Sequence, residues 1–194
     1  MQIKKVLGKI TWLRNTKKFL YYFVHEFLSN RVVSYMPSAK CRLLFWKSLK
    51  GLSFADGVYI QMGTYIYSNS KQIVIGENTI VNRECVLDGR SGLFIGKNVN
   101  ISPKVEIYSM GHDVNSPSFE AKGESVYIED YVWLGTRCMI MPGVSIGKGA
   151  FVMPGAIVTK NVSPYAIVAG IPARQIGRRS KDLSYELNWR LPFS

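Results

Sequence analysis

A six-residue period constrains this chain more than any other feature. From Ile128, steps of six reach Leu134, Ile140, Ile146, Val152 and Val158, all bulky aliphatics. From Val132 the same step reaches Cys138, Val144, Ala150, Ala156 and Val162, all small and apolar. Ile95, Ile101 and Ile107 form an earlier set, with Val99 and Val105 as companions. Ile75, Val81 and Leu87 form another with Thr79, Cys85 and Ser91, and Phe54, Ile60 and Ile66 a weaker one with Val58 and Thr64. Insertions break the phase near residues 67–74, 92–94 and, at greatest length, 112–127.

An amphipathic helix repeats its apolar positions at three and four, so a period of six excludes it. Short strands joined by turns satisfy it, with the bulky residue inward and the small one near a corner. Gly76, Gly96, Gly135 and Gly147 follow bulky positions, and Pro142-Gly143 marks another turn. One coil cannot bury its inner face alone, so stacked coils share a continuous core. At three units to a coil, residues 54–163 make about five coils. Cys85 and Cys138 fall in the small slot and read as core filler, and Cys41 as packing. Three cysteines, an odd number without metal-ligand spacing, make no disulfide framework.

Charge divides the chain in two. The formal charge is +12. Residues 1–50 hold eleven Lys and Arg against one acid, Glu26, while residues 51–194 hold fourteen against twelve. The head is therefore +10 and the body +2. Within the head, Ile3, Val6, Leu7, Ile10 and Leu13, then Leu20, Val24, Phe27 and Leu28, trace a broken helical pattern. Lys4, Lys5, Lys9, Arg14, Lys17 and Lys18 lie among them, with Trp12, Phe19, Tyr21, Tyr22 and Phe23. Ser38 precedes a second helical stretch carrying Leu43, Leu44, Phe45, Trp46 and Leu49. Two readings of residues 1–50 stay open: an amphipathic segment on an anionic membrane surface, and a helical cap on the open end of the solenoid. Nucleic acid is disfavoured because the body has no basic groove. No stretch reaches the roughly 20 apolar residues that span a bilayer. Early lysines and the lack of a cleavage site argue against a signal peptide, so the expected location is the cytoplasm, with peripheral attachment to the inner membrane face as the alternative.

The segments Tyr108-Ser109-Met110-Gly111-His112-Asp113, Val132-Trp133-Leu134-Gly135-Thr136, Met141-Pro142-Gly143-Val144-Ser145-Ile146-Gly147, Ile157-Val158-Thr159-Lys160 and Val168-Ala169-Gly170-Ile171-Pro172-Ala173-Arg174 carry a resemblance. In order and spacing the chain resembles the hexapeptide-repeat acetyltransferases, in the branch of galactoside and maltose acetyltransferases. His112-Asp113 followed by Ser116-Pro117-Ser118-Phe119 is similar to the colanic-acid and capsule polysaccharide O-acetyltransferases. The resemblance implies an all-β solenoid, a left-handed parallel β-helix. The resemblance covers residues 54–176, and with the charge and helical pattern of the head the chain divides into a basic helical N-terminal region over 1–50, a β-helix domain over 51–176 with an extruded loop at 112–127, and a C-terminal tail with a short helix over 177–194. The resemblance further implies a homotrimer, acetyl-CoA as donor, no metal and a sugar or glycan acceptor.

Acetyl transfer from a thioester to a hydroxyl needs a base for the hydroxyl proton and a donor for the developing oxyanion. The chain has two histidines. His25 lies among head aromatics and reads as packing. His112 stands where the long insertion begins and matches the family's general base; imidazole titrates near neutrality. By the resemblance Asn82 is the active-site asparagine, and Asp113 orients the histidine or meets substrate. The backbone N–H near Thr136 would serve the thioester carbonyl, beside a pocket lined by Trp133. Thr159, Lys160 and Arg174 match coenzyme contacts, with Arg178 and Arg179 available to its 3′-phosphate. Where the family reads Gly-Ala-Gly-Ser, this chain has Met153-Pro154-Gly155-Ala156, and Pro154 offers no N–H. An N-acetyltransferase of amino sugars and a non-catalytic scaffold are the alternative functions. A zinc hydratase on such a solenoid needs about three His ligands, which the chain lacks.

Overall fold

A computed structural model describes residues 14–68 and 72–190. Expectations for Ile3 to Leu13, including Lys4, Lys5, Lys9 and Trp12, lie outside the described residues.

The period of six is a three-sided parallel β-helix. The first sheet stacks Ser53–Phe54, Ile73–Ile75, Leu93–Ile95, Val126–Ile128 and Ser145–Ile146 in that order. The second stacks Tyr59–Ile60, Ile80–Val81, Asn100–Ile101, Trp133–Leu134 and Phe151–Val152, then the antiparallel pair Ala166–Gly170 and Ala173–Arg178. The third stacks Tyr65–Tyr67, Val86–Asp88, Glu106–Ile107, Met139–Ile140 and Ile157–Val158. Five coils are complete, and a sixth is opened by Val162, bridged to Ile146, and by Ala166–Gly170. Register keeps like above like: Ile75 lies beside Ile95, Ile95 beside Ile128, and Ile128 beside Ile146.

Both periodic series point inward. Ile60, Ile101, Leu134, Ile140, Ile146 and Val152 are fully buried, as are Val99, Val105, Val132 and Cys138. Burial raises the thiols of Cys85 and Cys138 to about 12, which leaves them inert filler. Ser91 departs from its series and is only half-buried, because Gly89–Gly92 is insertion.

Corners turn on a left-handed residue three positions after each bulky one: Asn78, Glu84, Asn98, Lys104, Tyr131, Arg137, Gly143, Gly149 and Gly155. Gly135 is required for another reason. A Cβ there would sit 2.6 Å from the Pro154 nitrogen and 2.7 Å from the Val152 oxygen of the next coil.

The head folds over the first coil. An α-helical stretch over 14–22 runs into a π-helix, Phe23–Val32, then a single turn, Val33–Tyr35, and a helix, Ala39–Leu49. The Ser38 hydroxyl accepts from Cys41 N at its start. The first coil has no coil beneath it, so its edge needs partners. Side chains supply them. Asn30 brackets Ile66, accepting from its N–H at 3.0 Å and donating to its oxygen at 3.2 Å. Lys50 Nζ donates to the same oxygen at 2.6 Å. Arg42, fully buried, donates to Ile60 O at 2.7 Å and to Met36 O. Trp46, also fully buried, donates to Ser29 Oγ at 3.1 Å. Capping thus employs two of the head's cations.

The C-terminal helix does not form within the described residues. Strand Ala173–Arg178 passes the expected boundary at 176, and 180–190 is irregular. Leu183, Tyr185 and Leu187 alternate with exposed residues, a period of two that suits an extended segment. This tail descends the first corner coil by coil. Arg179 N donates to Tyr165 O, Tyr185 Oη to Tyr131 O, and Leu187 N to Asn98 Oδ1.

Candidate active site

The insertions share one corner, where the third sheet turns back to the first. The longest leaves after Glu106–Ile107, forms a hairpin of Met110–His112 against Ala121–Gly123, and re-enters at Val126–Ile128. His112 pairs with Ala121 near the tip of this arm and is exposed. Its Nδ1 lies 2.9 Å from the Phe119 carbonyl oxygen, and its ring stacks on Phe119 at 3.9 Å and 12°. A carbonyl only accepts, so Nδ1 carries the proton of the neutral ring and Nε2 keeps a lone pair facing outward. Phe119 has a φ of 53°, a left-handed conformation uncommon outside glycine. The sequence reading used Phe119 only as a family marker; the signal was an aromatic seven residues after the histidine, within one insertion.

Asp113 does not orient His112. Its Oδ1 accepts from Asn115 N at 2.9 Å, and Oδ2 lies 3.8 Å from Lys122 Nζ. It shapes the loop, and Phe119 holds the ring instead.

Asp88 holds the base of the arm and was not singled out from sequence. It is fully buried. Its Oδ1 accepts from Arg90 N at 3.0 Å and Arg90 Nε at 2.9 Å. Its Oδ2 accepts from Arg90 at 2.9 Å, Ser109 N at 3.3 Å and Met110 N at 3.2 Å. The last two amides open the strand that ends in His112. The Ser109 hydroxyl in turn accepts from Ser91 N at 3.0 Å. A buried carboxylate with these partners fixes where the arm leaves the solenoid.

Asn82 is nearly buried at the corner between the second and third sheets. Its Nδ2 donates to Ile101 O at 2.7 Å and Asn100 Oδ1 at 3.2 Å, which leaves Oδ1 as the unengaged end. Thr136 lies on the same corner, two coils on and exposed. The equivalent positions in the adjoining coils are Pro103 and Pro154, neither with an N–H. The Thr136 amide therefore has no neighbouring donor above or below it in that column. Trp133 leans toward this corner, donating Nε1–H to Ser102 Oγ at 3.0 Å and stacking on Phe151 at 4.3 Å. With Asn100, Arg179, Tyr185 and Leu187 it lines a cavity of about 230 Å³.

Thr159 and Lys160 are exposed on the third corner, above the arm. Lys160 and Arg174, with Asn161 and Gln175, line a cavity of about 290 Å³ at the C-terminal end of the solenoid. Arg178 is exposed on the last strand. Arg179 departs from its expected role. Its guanidinium donates to Tyr131 O at 3.0 Å, Gly149 O at 3.4 Å and Tyr185 Oη at 3.3 Å, so it fastens the tail. Two groups thus flank the third sheet, Asn82 and Thr136 at the corner before it and His112, Thr159 and Lys160 at the corner after it, while Trp133 lies on the second sheet and Arg174 on the last strand, across a cavity from Lys160. Among the described residues no contact joins His112 to Asn82, and no cluster of His, Cys, Asp or Glu fits a metal ion.

Fold and corner arm together define a β-helix of the hexapeptide-repeat type. The family model described as bacterial transferase hexapeptide (six repeats) matches residues 125–160. A galactoside O-acetyltransferase of Lactococcus lactis is 30% identical over 135 residues, 68% of this chain and 64% of that protein. The chain thus spans less than two thirds of that curated relative's length. A hexapeptide-repeat acetyltransferase of Vibrio cholerae, solved with acetyl coenzyme A, superposes with a TM-score of 0.68 at 27% identity, over 88% of each chain. A galactoside acetyltransferase solved with coenzyme A gives 0.71 at 26% identity, over 84% of this chain and 81% of that one. The chain belongs to the hexapeptide-repeat acetyltransferase family, and its fold is the left-handed parallel β-helix.

Proposed function

We propose that this chain transfers the acetyl group of acetyl-CoA to a sugar hydroxyl of a surface polysaccharide or its precursor, with His112 as general base. The observation that carries the reading is the Nδ1 contact to the Phe119 carbonyl, which leaves Nε2 as an outward acceptor. The acceptor hydroxyl gives its proton to Nε2 as its oxygen attacks the thioester carbon. The new C–O bond forms, the C–S bond breaks, and the proton passes from His112 to the departing sulfur. The Thr136 amide, set between two prolines on the second corner, suits the oxyanion, and the free Oδ1 of Asn82 suits an acceptor hydroxyl. Lys160, Arg174 and Arg178 supply cations for the coenzyme's phosphates. Pro154 withholds one hydrogen bond from its pantetheine arm.

Two half-sites at opposite edges of one sheet call for a homotrimer. Around a threefold axis, the arm of one copy meets the Asn82 and Thr136 corner of the next. The relatives' names point to sugar hydroxyls as acceptors. The decisive experiment incubates the protein with acetyl-CoA and a glycan panel, following thiol release and mass gain of one acetyl group. Thiol release that depends on a galactoside or capsule-type glycan supports the proposal. Failure of every sugar, with turnover on an amine instead, overturns it.

A further inference from the structure

The head's inner face is accounted for by capping; its outer face is not. Phe19, Phe23 and Phe27 form a ladder along the N-terminal helix, with centroids 6.3 and 5.6 Å apart and rings within 21° of parallel. They are 71%, 43% and 54% exposed. Leu20, Tyr22, Tyr35 and Leu44 of the head are also each more than half exposed. A solenoid cap has no use for this surface.

The charge around it has one sign. Arg14, Lys17, Lys18, Arg31, Lys40 and Lys47 are exposed. The head's one acid, Glu26, is turned inward, accepting from Asn30 Nδ2 at 3.3 Å and Tyr65 Oη at 3.2 Å. The outer face therefore presents cations and aromatic rings with no carboxylate. Two copies of such a face would repel each other. Nucleic acid suits it less, since these rings stack on one another rather than standing apart to receive bases. Rings that enter the headgroup boundary while flanking ammonium groups meet phosphates complement an anionic bilayer.

We infer that the exposed Phe19–Phe23–Phe27 face of the N-terminal helix, with Lys17 and Lys18, docks this protein on the surface of an anionic phospholipid membrane. The helix lies in the interface and does not cross it; among the described residues no helix is long and apolar enough to span. In the trimer proposed above, all three caps sit at the same end of the bundle. Three weak contacts then act together, as one acyl chain and one basic patch do in peripheral anchors. The inference stands apart from acetyl transfer, because docking needs neither His112 nor coenzyme.

The test is flotation of the full chain with phosphatidylcholine vesicles of graded phosphatidylglycerol content at low salt. Bound fraction should rise with phosphatidylglycerol and fall in 1 M salt, where the Debye length shrinks to about 3 Å. Lys17→Glu with Lys18→Glu should weaken partitioning by about tenfold or more, since each basic residue near an anionic leaflet contributes about fivefold. Phe19→Ser, Phe23→Ser and Phe27→Ser together should abolish flotation at every salt concentration. Both sets change exposed residues, so thermal midpoints should hold; if the serine variant melts early, the charge reversal decides. Wild-type protein that stays unbound on phosphatidylglycerol vesicles overturns the inference. So does light scattering in which the serine variant falls to a smaller oligomer, which makes the face a contact between copies. Binding to an oligonucleotide but not to vesicles overturns it too. Thiol release from acetyl-CoA in a protein that does not float would sink docking alone and leave the proposed function standing.

Discussion

The coils and the arm that leaves their third corner use the same backbone to opposite ends. In the inner coils each strand has a similar strand above and below, the inward side chains are buried, and strand amides find partners one turn away. In the arm two short strands pair only with each other, Ala121–Gly123 is exposed throughout, and the fixed points are a buried carboxylate at the base and a carbonyl against a histidine at the tip. Repetition makes the coils stable. The interruption gives up that support and gains an exposed histidine at a set position.

His112→Ala divides the two most sharply. Loss of a general base lowers turnover about 10²–10⁴-fold, or roughly 3–5 kcal/mol in the barrier. The thermal midpoint should not move, because the ring touches only Phe119 and no coil. Acetyl-CoA-dependent thiol release and calorimetry on one preparation read both quantities. A folded variant with near-normal turnover removes His112 from the chemistry.

Leu134→Ala is the converse. Leu134 is fully buried in the second sheet, stacked between Ile101 and Val152. Truncation should destabilise the fold by about 2–5 kcal/mol, measured by denaturant unfolding. The folded fraction should keep much of its turnover. Turnover falling as far as in His112→Ala, with stability unchanged, would break the division of labour.

Asp88→Asn probes the joint between the two regions. Asn keeps the shape but replaces one accepting oxygen with a donor, opposing the Arg90 side chain or the Ser109 and Met110 amides. A displaced arm should lower kcat by up to roughly 10²-fold, since misplacement of about 1 Å has that effect. KM for acetyl-CoA should hold, because no cation attributed to the coenzyme touches Asp88. A drop in thermal midpoint with kcat intact would reduce Asp88 to a structural residue.

What was legible in the sequence follows the same line. The coils could be read because translation by six residues returns each side chain to the same environment, so Ile128 through Val158 announce one another. The corner at Pro142-Gly143 was legible because its left-handed residue is glycine, and corners were silent where that residue is Glu84, Lys104 or Arg137. His112 was visible through its motif, whereas its true orienter was not, because a backbone carbonyl leaves no mark in a sequence. The motif's own neighbour, Asp113, drew the role instead. Asp88 looked like the end of an ordinary strand. The expected C-terminal helix failed because Leu183, Tyr185, Leu187 and Trp189 repeat at two rather than at three and four.

The cap is the intermediate case, buried like the coils and irregular like the arm, and its smallest testable consequence concerns Lys50. Burial lowers this ammonium from its ordinary 10.5 to about 8, with Glu26 pulling the other way. Between those values the unfolded chain binds more protons than the native one, so stability rises with pH. Below pH 8 both states are protonated and the buried charge is carried in full. As pH climbs from 8 toward 10 the native amine sheds its proton, and the penalty is relieved. Other groups oppose it over the same range: Cys85 and Cys138, raised by burial from an ordinary 9 to about 12, and Tyr65, raised beyond its ordinary 10 by burial and Glu26, hold protons in the native form that the unfolded chain releases, and through them stability falls. The gain from Lys50 is on the order of 1 kcal/mol, since a shift of one unit is worth about 1.4 kcal/mol. In a domain of this size that is about 2–4 °C in the thermal midpoint. Lys50→Met removes the titrating group and leaves Ile66 O with its bond from Asn30. The buried thiols and Tyr65 act alike in both proteins, so calorimetric scans between pH 8 and 10 should show the midpoint of the wild type gaining on that of Lys50→Met as pH rises. The same pH slope in both proteins would mean that the cap holds its lysine as comfortably as the coils hold leucine.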